Sequence, residues 1–197
     1  MKNVIFDLGG VVFARDMKTC REEFIRFFAF VRQAEMPWFW TEYDRGALTL
    51  EQTIAELAKY QGADVEYTRA MVDEAIALQQ ARVATEKLIY ELKEAGYRLY
   101  VLSNMSKEFI AFLRNIPVYR AFDGEVVSCE EHTVKPEPAI YECLLSRYDL
   151  EPSQSIFIDD RKENIEAAEK FGIKGFLFDA KSPEKSCDEL RELLLKA

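Results

Sequence analysis

Three stretches of the sequence end in side chains that could hold a metal ion or a phosphate group. Each stretch is a short apolar run, and the polar residues directly after these runs are Asp7, Ser103, Asn104, Asp159 and Asp160. Carboxylate oxygens are ligands that Mg²⁺ prefers, usually together with phosphate oxygens and water. A hydroxyl and an amide beside them can hydrogen-bond to phosphate oxygens. The residue types therefore fit a hard divalent cation together with a phosphate group.

A lysine and a glycine turn complete this candidate set. Lys135 lies in a loop just before Pro136, where it could supply a positive charge. Gly9 and Gly10 follow Asp7 closely and tolerate unusual backbone angles, so that a ligand can approach the main chain. Taken singly, each feature has an ordinary structural interpretation, because a carboxylate can cap a helix and a lysine can simply be solvated. Their occurrence together in one sequence favours a functional site over these separate structural interpretations.

The elements around these residues predict an α/β fold. Short strands rich in β-branched and aromatic residues alternate with helices from residue 84 onward, which indicates a parallel sheet with helices on both faces. Parallel strands present their carboxyl ends at the same edge of the sheet, where open α/β sheets bind ligands. We therefore expect the polar side chains to converge there, together with Lys135.

A helical segment interrupts this alternation directly after the first strand. Residues 15–83 are predicted to be all-helical, with no strand, and a capping box from Thr49 to Gln52 marks one helix start. We expect residues 1–14 and 84–197 to form the α/β core and residues 15–83 to form an inserted helical cap, placed as a lid over the site. The aromatic residues around Trp38 and Trp40 are interpreted as cap core, with a substrate-facing aromatic as the alternative.

Composition limits the partners and the location. The 197-residue chain has a formal net charge of -9, which argues against a nucleic-acid or anionic-membrane partner because both bind basic surfaces. Four scattered cysteines contain no CxxC pair and are expected to be reduced thiols. The sequence has no apolar run of about 18 residues, and Asp7 interrupts the N-terminal run, which is not typical of a signal peptide. These features predict a cytoplasmic protein, and they leave the oligomeric state open.

Four segments, in this order along the chain, resemble the motifs of the haloacid dehalogenase-like hydrolases. They are Asp7-Leu8-Gly9-Gly10-Val11, Leu102-Ser103-Asn104, Lys135-Pro136-Glu137 and Phe157-Ile158-Asp159-Asp160-Arg161-Lys162-Glu163-Asn164. Their order, spacing and strand contexts agree with the family over essentially the whole chain. The resemblance implies a Rossmann-like α/β core, and the insertion at residues 15–83 is similar to the small helical cap of one subgroup. The first motif, with glycine two residues after the aspartate, resembles that of the branch containing α-D-glucose-1-phosphate phosphatase.

The resemblance implies a role for each residue of the candidate set. By position, Asp7 is the nucleophile that forms an aspartyl-phosphate, and it is also a ligand of Mg²⁺. Ser103 and Asn104 would bind the phosphoryl oxygens, and Lys135 would bind them too while neutralising charge beside Asp7. The remaining metal ligands would be Asp159, Asp160 and the backbone carbonyl of Gly9. This assignment is physically consistent, because a carboxylate nucleophile repels a phosphate dianion unless cations offset the charge.

Gly9 departs from the family pattern. The family usually has a second aspartate at this position, which protonates the leaving group and then activates water. Gly9 can offer its carbonyl but has no side chain, and general acid–base catalysis is worth about 10² to 10⁴ in rate. The departure therefore lowers the expected turnover without excluding activity. His132, three residues before Lys135, is a reserve candidate for the missing acid.

The sequence thus predicts a Mg²⁺-dependent phosphomonoester hydrolase that acts on a small phosphorylated metabolite, with a sugar phosphate favoured. The first alternative is a metal-free haloacid dehalogenase, which also uses an aspartate nucleophile and also lacks the second aspartate. Asp159 and Asp160 argue against it, because an acidic pair without a cation would repel both the nucleophile and a carboxylate substrate. The second alternative is a non-catalytic binding module that kept the pocket after losing the acid at Gly9.

Overall fold

The structure, a computed structural model, describes residues 1–33 and 35–196 and has a parallel sheet at its centre. The strands are β1 (Asn3–Phe6), β2 (Phe13–Ala14), β3 (Gln80–Ala81), β4 (Arg98–Ser103), β5 (Gly124–Val127), β6 (Ser155–Asp159) and β7 (Lys174–Leu177). The α-helices are α1 (Glu22–Phe27), α2 (Trp38–Asp44), α3 (Leu50–Gln61), α4 (Val65–Ala77), α5 (Val83–Glu94), α6 (Lys107–Leu113), α7 (Ser128–Glu131), α8 (Pro138–Tyr148), α9 (Lys162–Glu169) and α10 (Pro183–Leu195). The short 3-10 helices are Ala29–Arg32, Pro117–Ala121 and Pro152–Gln154.

The central sheet has the strand order β5-β4-β1-β6-β7, and every neighbouring pair is parallel. The inner strands β1 and β6 are buried along their whole length, whereas the edge strand β7 has no buried residue. Successive side chains of a strand point to opposite sides, so the inner strands pack against helices on both faces. On β1, Val4 and Phe6 join one hydrophobic cluster with α5, α6 and α10, whereas Ile5 joins a second cluster with α8 and α9. The predicted α/β fold, a parallel sheet with helices on both faces, is confirmed.

The chain between β2 and β3 folds into helices α1 to α4 around a cluster of its own. Its buried members include Phe24, Trp40, Leu57 and Met71, and Phe109 of α6 belongs to the same cluster. The helical segment therefore rests on the sheet-containing part of the molecule through α6. The predicted capping box of α3 is present, with the Thr49 and Gln52 side chains each bonded to the backbone of the other residue.

The prediction that residues 15–83 contain no strand is wrong. Gln80 and Ala81 form β3, which pairs antiparallel with β2. The backbone N–H of Arg82 then donates to the carbonyl of Val12 (2.8 Å). A strand of two residues is too short to produce an alternating hydrophobic pattern, which is why the sequence gives no signal for it.

The two tryptophans of α2 have opposite environments. Trp40 is 7% exposed, and its ring centre lies 5.2 Å from that of Phe30 and 6.3 Å from that of Phe109. Trp38 is 61% exposed. The interpretation of these aromatics as core residues is therefore right for Trp40 and wrong for Trp38.

Two predictions about location and redox state can be compared with the structure. Cys20, Cys129, Cys143 and Cys187 are free thiols, as expected. Among the described residues, no helix has both the length and the apolar character that a membrane crossing requires. The cytoplasmic location itself stays a prediction.

Candidate active site

Asp7 lies at the carboxyl end of the central strand β1, where the chain turns away from the sheet. Its backbone N–H still donates to the carbonyl of Ile158 (2.9 Å), which anchors the residue to β6. The side chain is 8% exposed, and the hydroxyl of Ser103, at the end of β4, donates to its Oδ1 (2.9 Å). Neighbouring parallel strands thus bring the predicted nucleophile and the predicted hydroxyl together.

Lys135 connects the ends of two strands. Its Nζ lies 2.8 Å from Oδ1 of Asp7 and 2.6 Å from Oδ2 of Asp159, and the residue is 4% exposed. Burial disfavours the charged form of the lysine, but the carboxylates of Asp159 and Asp7 outweigh this effect and raise its pKa. The pKa of Asp7 is raised overall by burial and by the charge of Asp159, whereas Lys135 and the Ser103 hydroxyl oppose the rise. The ammonium group therefore keeps its proton and favours the ionised form of Asp7.

Asn104 holds the loop that carries this lysine. Its Nδ2 donates to the backbone carbonyl of Lys135 (2.9 Å), and its Oδ1 accepts from the backbone N–H of Lys135 (2.7 Å). Both ends of the Asn104 amide are therefore engaged by main chain. Its predicted contact with phosphoryl oxygens stays a prediction, as does that of Ser103.

The adjacent acids Asp159 and Asp160 have different surroundings. Asp159 is fully buried and accepts hydrogen bonds from Lys135, from the backbone N–H of Arg161 (2.8 Å) and from Nδ2 of Asn164 (3.0 and 3.1 Å). Asp160 is half-buried, and its carboxyl accepts no hydrogen bond from the part of the chain that is described. Asp159 is thus occupied by the protein, whereas Asp160 is free to bind a ligand.

The glycine turn after β1 is shaped by Asp160. Gly10 has a φ of 79°, which side chains rarely adopt, and a Cβ atom there would lie 3.1 Å from Cγ of Asp160 and closer still to its Oδ2. Gly9 is different, because its φ is not positive and a Cβ there would meet only Cε of Met105, at 4.0 Å. Backbone geometry therefore requires glycine at position 10 and not at position 9.

The carboxyl groups fit a hard divalent cation. One oxygen each from Asp7, Asp159 and Asp160 lies within 4.8 Å of the other two, and carboxylate oxygens are the donors that Mg²⁺ prefers. Lys135 balances only part of their charge. Burial raises the pKa of Asp160 to about 7, and the charges of Asp7 and Asp159 contribute to the rise. A cation among the three carboxylates would relieve this repulsion.

A further carboxyl reaches the site from the helical segment. Asp44, the last residue of α2, is 8% exposed, and its backbone carbonyl accepts a hydrogen bond from the hydroxyl of Ser128. That hydroxyl also accepts from the backbone N–H of Met105 (2.9 Å), just after β4, so Asp44 lies at the carboxyl edge of the sheet. Burial raises the pKa of its carboxyl to about 7, an effect that Arg161 opposes and Asp7 increases. Sequence analysis missed Asp44. Its signal in the sequence is weak, because the same short helix contains a second acidic residue, Glu42.

Two other residues differ from their sequence interpretation. His132, the reserve acid, is exposed, and its Nδ1 lies 3.3 Å from the backbone carbonyl of Arg45. It contacts the helical segment rather than Asp7. Asn164, the last residue of the fourth motif, had no assigned role, yet it donates to Asp159 from the first turn of α9. The carbonyl of Gly9 as a metal ligand stays a prediction.

Known proteins resemble the chain over most of its length. It is 27% identical over 195 residues to the sesquiterpene phosphatase astK of Aspergillus oryzae, covering 98% of this chain and 96% of that protein. It is 25% identical over 208 residues to a D-ribitol-5-phosphate phosphatase of Bacteroides thetaiotaomicron, covering 98% and 97%. The specific likeness to the α-D-glucose-1-phosphate phosphatase branch stays a prediction.

Solved structures share the fold. A HAD family enzyme from Bacteroides thetaiotaomicron, crystallised with magnesium and inorganic phosphate, superposes with a TM-score of 0.72 at 23% identity, covering 91% of this chain and 95% of that one. A dehalogenase superposes with a TM-score of 0.78 at 18% identity, covering 100% and 98%. At these identities the likeness is evidence for the fold alone. A family model described as haloacid dehalogenase-like hydrolase matches residues 1–172, and the chain therefore belongs to the haloacid dehalogenase-like hydrolases.

Proposed function

We propose that this protein is a Mg²⁺-dependent phosphomonoester hydrolase in which Asp7 is the nucleophile. The observation that carries the proposal is the buried contact of Lys135 Nζ with Asp7 Oδ1 (2.8 Å) inside a cluster of three carboxyl groups. A fixed ammonium beside a nucleophilic carboxylate offsets the repulsion that a phosphate dianion would meet. The two phosphatases among the relatives support the same reaction class.

Each residue of the site has its own role in the first step, the transfer of the phosphoryl group to Asp7. Asp7 attacks phosphorus, and Lys135 and Ser103 orient its carboxylate, because both donate to the same oxygen, Oδ1. That arrangement leaves Oδ2 for the attack. Asp7, Asp159 and Asp160 would hold the cation, with Asp160 as the carboxylate that the protein leaves open. When bound, Mg²⁺ supplies positive charge that stabilises the phosphoryl group in transfer.

We also propose that residues 15–83 act as a cap over a core made of residues 1–14 and 84–197. Two observations support this proposal: the helical segment has its own hydrophobic cluster, and its residue Asp44 is bonded to Ser128, directly after β5. A cap leaves room for a small phosphorylated substrate rather than for a protein. Asp44 from the cap and Arg161 from the core, whose guanidinium donates to the carbonyl of Val31, supply polar groups where the cap meets the core. Such groups suit the hydroxyls of a sugar or polyol phosphate better than a hydrocarbon chain.

A haloacid dehalogenase would have the same fold, but its substrate does not suit the negative charge of this site. Two further carboxyl groups, Asp159 and Asp160, lie next to the nucleophile Asp7, and burial together with these neighbours already raises the pKa of Asp160 to about 7. A carboxylate substrate would add a further negative charge to this cluster without bringing a cation. We therefore favour phosphate ester hydrolysis over dehalogenation and over a non-catalytic module.

Phosphate release from a panel of esters tests the proposal. The panel contains sugar phosphates, polyol phosphates and a sesquiterpenyl monophosphate, each assayed with Mg²⁺ and with EDTA. We expect release that requires Mg²⁺ and that falls to background in Asp7→Asn, because an amide is neither an anionic ligand nor a nucleophile. Asp73→Asn, at an exposed position of α4, is the matched control and should keep wild-type rates. Equal rates in EDTA, or halide release from a 2-haloacid without metal, would contradict the proposal.

A further inference from the structure

The proposed reaction needs a proton donor that the first motif does not supply. In transfer to Asp7 the ester oxygen leaves with an electron pair, and a proton on that oxygen makes it a better leaving group. Gly9 has no side chain to donate one. Lys135 is held by two carboxylates, and Asp159 already accepts from Lys135, Arg161 and Asn164. Asp160 belongs to the metal cluster. The donor must therefore come from another part of the molecule.

Asp44 is placed where such a donor is needed. It lies in the cap, opposite the core residues that hold the phosphate, and it is 8% exposed. Its backbone carbonyl accepts from the hydroxyl of Ser128, directly after β5, and that hydroxyl accepts from the backbone N–H of Met105 (2.9 Å), two residues after β4. Asp44 therefore lies beside the carboxyl ends of β4 and β5, close to Asn104. A leaving group that points away from Asp7 points toward the cap.

The residues on both sides of Asp44 fix its position. The hydroxyl of Tyr43 donates to Oε2 of Glu108 on α6 (2.6 Å). The guanidinium of Arg45 makes two hydrogen bonds of 2.8 Å to Glu137, just before α8. The cap is thus attached to the core immediately before and immediately after Asp44. General acid catalysis needs this kind of fixed geometry between donor and acceptor.

The environment of Asp44 suits proton transfer at neutral pH. Burial raises its pKa to about 7; Arg161 opposes the rise, Asp7 adds to it, and the backbone N–H of Ser106 and Lys135 oppose it. Both protonation states are then populated near pH 7, which is the condition under which one group can first give and later take a proton.

We propose that Asp44 is the catalytic acid and base of this enzyme, supplied by the cap in place of the carboxyl group missing at Gly9. The inference rests on the proposed phosphatase function. As Asp7 forms its bond to phosphorus, the bond from phosphorus to the ester oxygen breaks, and that oxygen takes the proton of Asp44. The Asp44 carboxylate then takes a proton from water as the water oxygen bonds to phosphorus. The bond from phosphorus to Asp7 breaks, which releases phosphate and restores both carboxyl groups.

A series of esters with different leaving groups tests this role. The wild type, Asp44→Asn and the control Asp73→Asn are assayed with Mg²⁺ on 4-nitrophenyl, phenyl and benzyl phosphates, which are similar in size but differ in the acidity of the leaving group. We expect Asp44→Asn to lower kcat/KM on benzyl phosphate by about 10²-fold or more and on 4-nitrophenyl phosphate by less than about tenfold. On 4-nitrophenyl phosphate it should release a burst of nitrophenol before a slower steady state, because water activation is also impaired.

A second variant separates chemistry from a structural effect. Gly9 has room for a side chain and no positive φ, so Gly9→Asp places a carboxyl group at the position that the family uses. The double variant Gly9→Asp/Asp44→Asn should have a kcat/KM on benzyl phosphate at least about tenfold higher than that of Asp44→Asn alone. A variant whose cap is merely misplaced would show no such recovery. If the double variant does not fold, Asp44→Glu replaces it and should recover part of the benzyl phosphate rate.

The outcomes distinguish this role from the proposed function itself. A uniform loss across the three esters, or no loss, in Asp44→Asn overturns the role of Asp44 while a wild type that requires Asp7 keeps the phosphatase function. A wild type that releases no phosphate from any ester overturns both.

Discussion

At the scale of single residues, the carboxylates of the site differ in whether other protein groups donate hydrogen bonds to them. Asp159 is buried against Lys135, a backbone N–H and Asn164, so it stabilises the fold even without a ligand. Asp160 stands next to it and adds repulsion instead. Breaking a buried ion pair is costly, whereas removing an uncompensated charge is favourable. The two adjacent acids should therefore respond in opposite ways to substitution.

Asp160→Asn is expected to raise the midpoint of thermal unfolding in EDTA, because it removes a charge that repels Asp7 and Asp159. Asp159→Asn should lower the free energy of unfolding by about 3 kcal/mol, because it weakens the pairing of a buried ammonium. Adding Mg²⁺ should raise the midpoint of the wild type and have little effect on Asp160→Asn. Calorimetry with and without Mg²⁺ measures the unfolding of the wild type and of both variants. A loss of stability in Asp160→Asn without Mg²⁺ would contradict the description of Asp160 as an uncompensated charge.

Gly9 and Gly10 form a matched pair for substitution. Gly10→Ala should cost about 1–3 kcal/mol of stability, because alanine strains a positive φ and its Cβ would collide with Asp160. Gly9→Ala should change the free energy of unfolding by less than about 1 kcal/mol, because its φ is ordinary and the space is open. Urea unfolding of both variants tests the difference, and equal losses would show that the turn needs both glycines.

At the scale of elements, the strand ends explain which site residues could be predicted. Asp7 directly follows β1, and Ser103 and Asp159 end β4 and β6 of the same parallel sheet, so sequence order and strand direction suffice to bring them together. Asp44 could not be found in this way. It lies on a helix, and no rule of sheet topology links that helix to the site. Its place depends on how the cap packs, through Tyr43 and neighbouring side chains, and packing is not encoded in a short sequence pattern.

The two-residue strands and the two tryptophans are further cases in which a short sequence pattern does not determine the structure. The pairing of β2 with β3 joins positions far apart in sequence through too few residues to leave a periodic pattern. Trp38 and Trp40 have the same residue type, and they are separated by only one position. A helix turns by about 100° per residue, so positions two apart face different directions. The aromatic composition identified the cluster, and the helix phase decided which tryptophan is buried.

Trp40→Ala and Trp38→Ala test this phase directly. Removing the buried indole of Trp40 should lower the free energy of unfolding by about 3–5 kcal/mol, because a cavity remains among the cap aromatics. Removing the exposed indole of Trp38 should change it by less than about 0.5 kcal/mol. Denaturant unfolding compares the two, and similar losses would mean that Trp38 is buried in solution.

At the scale of the whole molecule, the cap and the core are joined by charged contacts as well as by apolar ones. Arg45 on the cap side pairs with Glu137, two residues after Lys135, and Arg161 on the core side donates to the carbonyl of Val31 (3.2 Å). Hydrogen bonds from Arg45, Thr133 and the backbone of Val134 lower the pKa of Glu137 to about 2. The stability of the attached cap should therefore depend on pH.

The sign of this dependence follows from the lowered pKa. The ordinary pKa of Glu137 is 4.5, so its contribution to stability is complete above about pH 4.5 and is lost as the pH falls toward 2. Glu137→Gln should be less stable than the wild type at pH 7, and the difference should shrink below pH 4.5. Glu142→Gln, at an exposed position of α8, is the control and should show no such pattern. Denaturant unfolding at several pH values measures the stability difference between the wild type and Glu137→Gln. If that difference does not change with pH, Glu137 is not the source of the pH dependence.

The pairing of β2 with β3 has a consequence for how such enzymes diversify. The helical segment begins after Phe13–Ala14 and ends before Gln80–Ala81, and the pairing of these two strands brings its two ends together. A segment attached in this way can be replaced as a unit without rerouting the rest of the chain. If Asp44 is the proton donor, the donor and the substrate-facing surface are inherited together in that unit, whereas the nucleophile stays in the core. Exchanging the cap between relatives should then transfer leaving-group preference and substrate choice in a single genetic step.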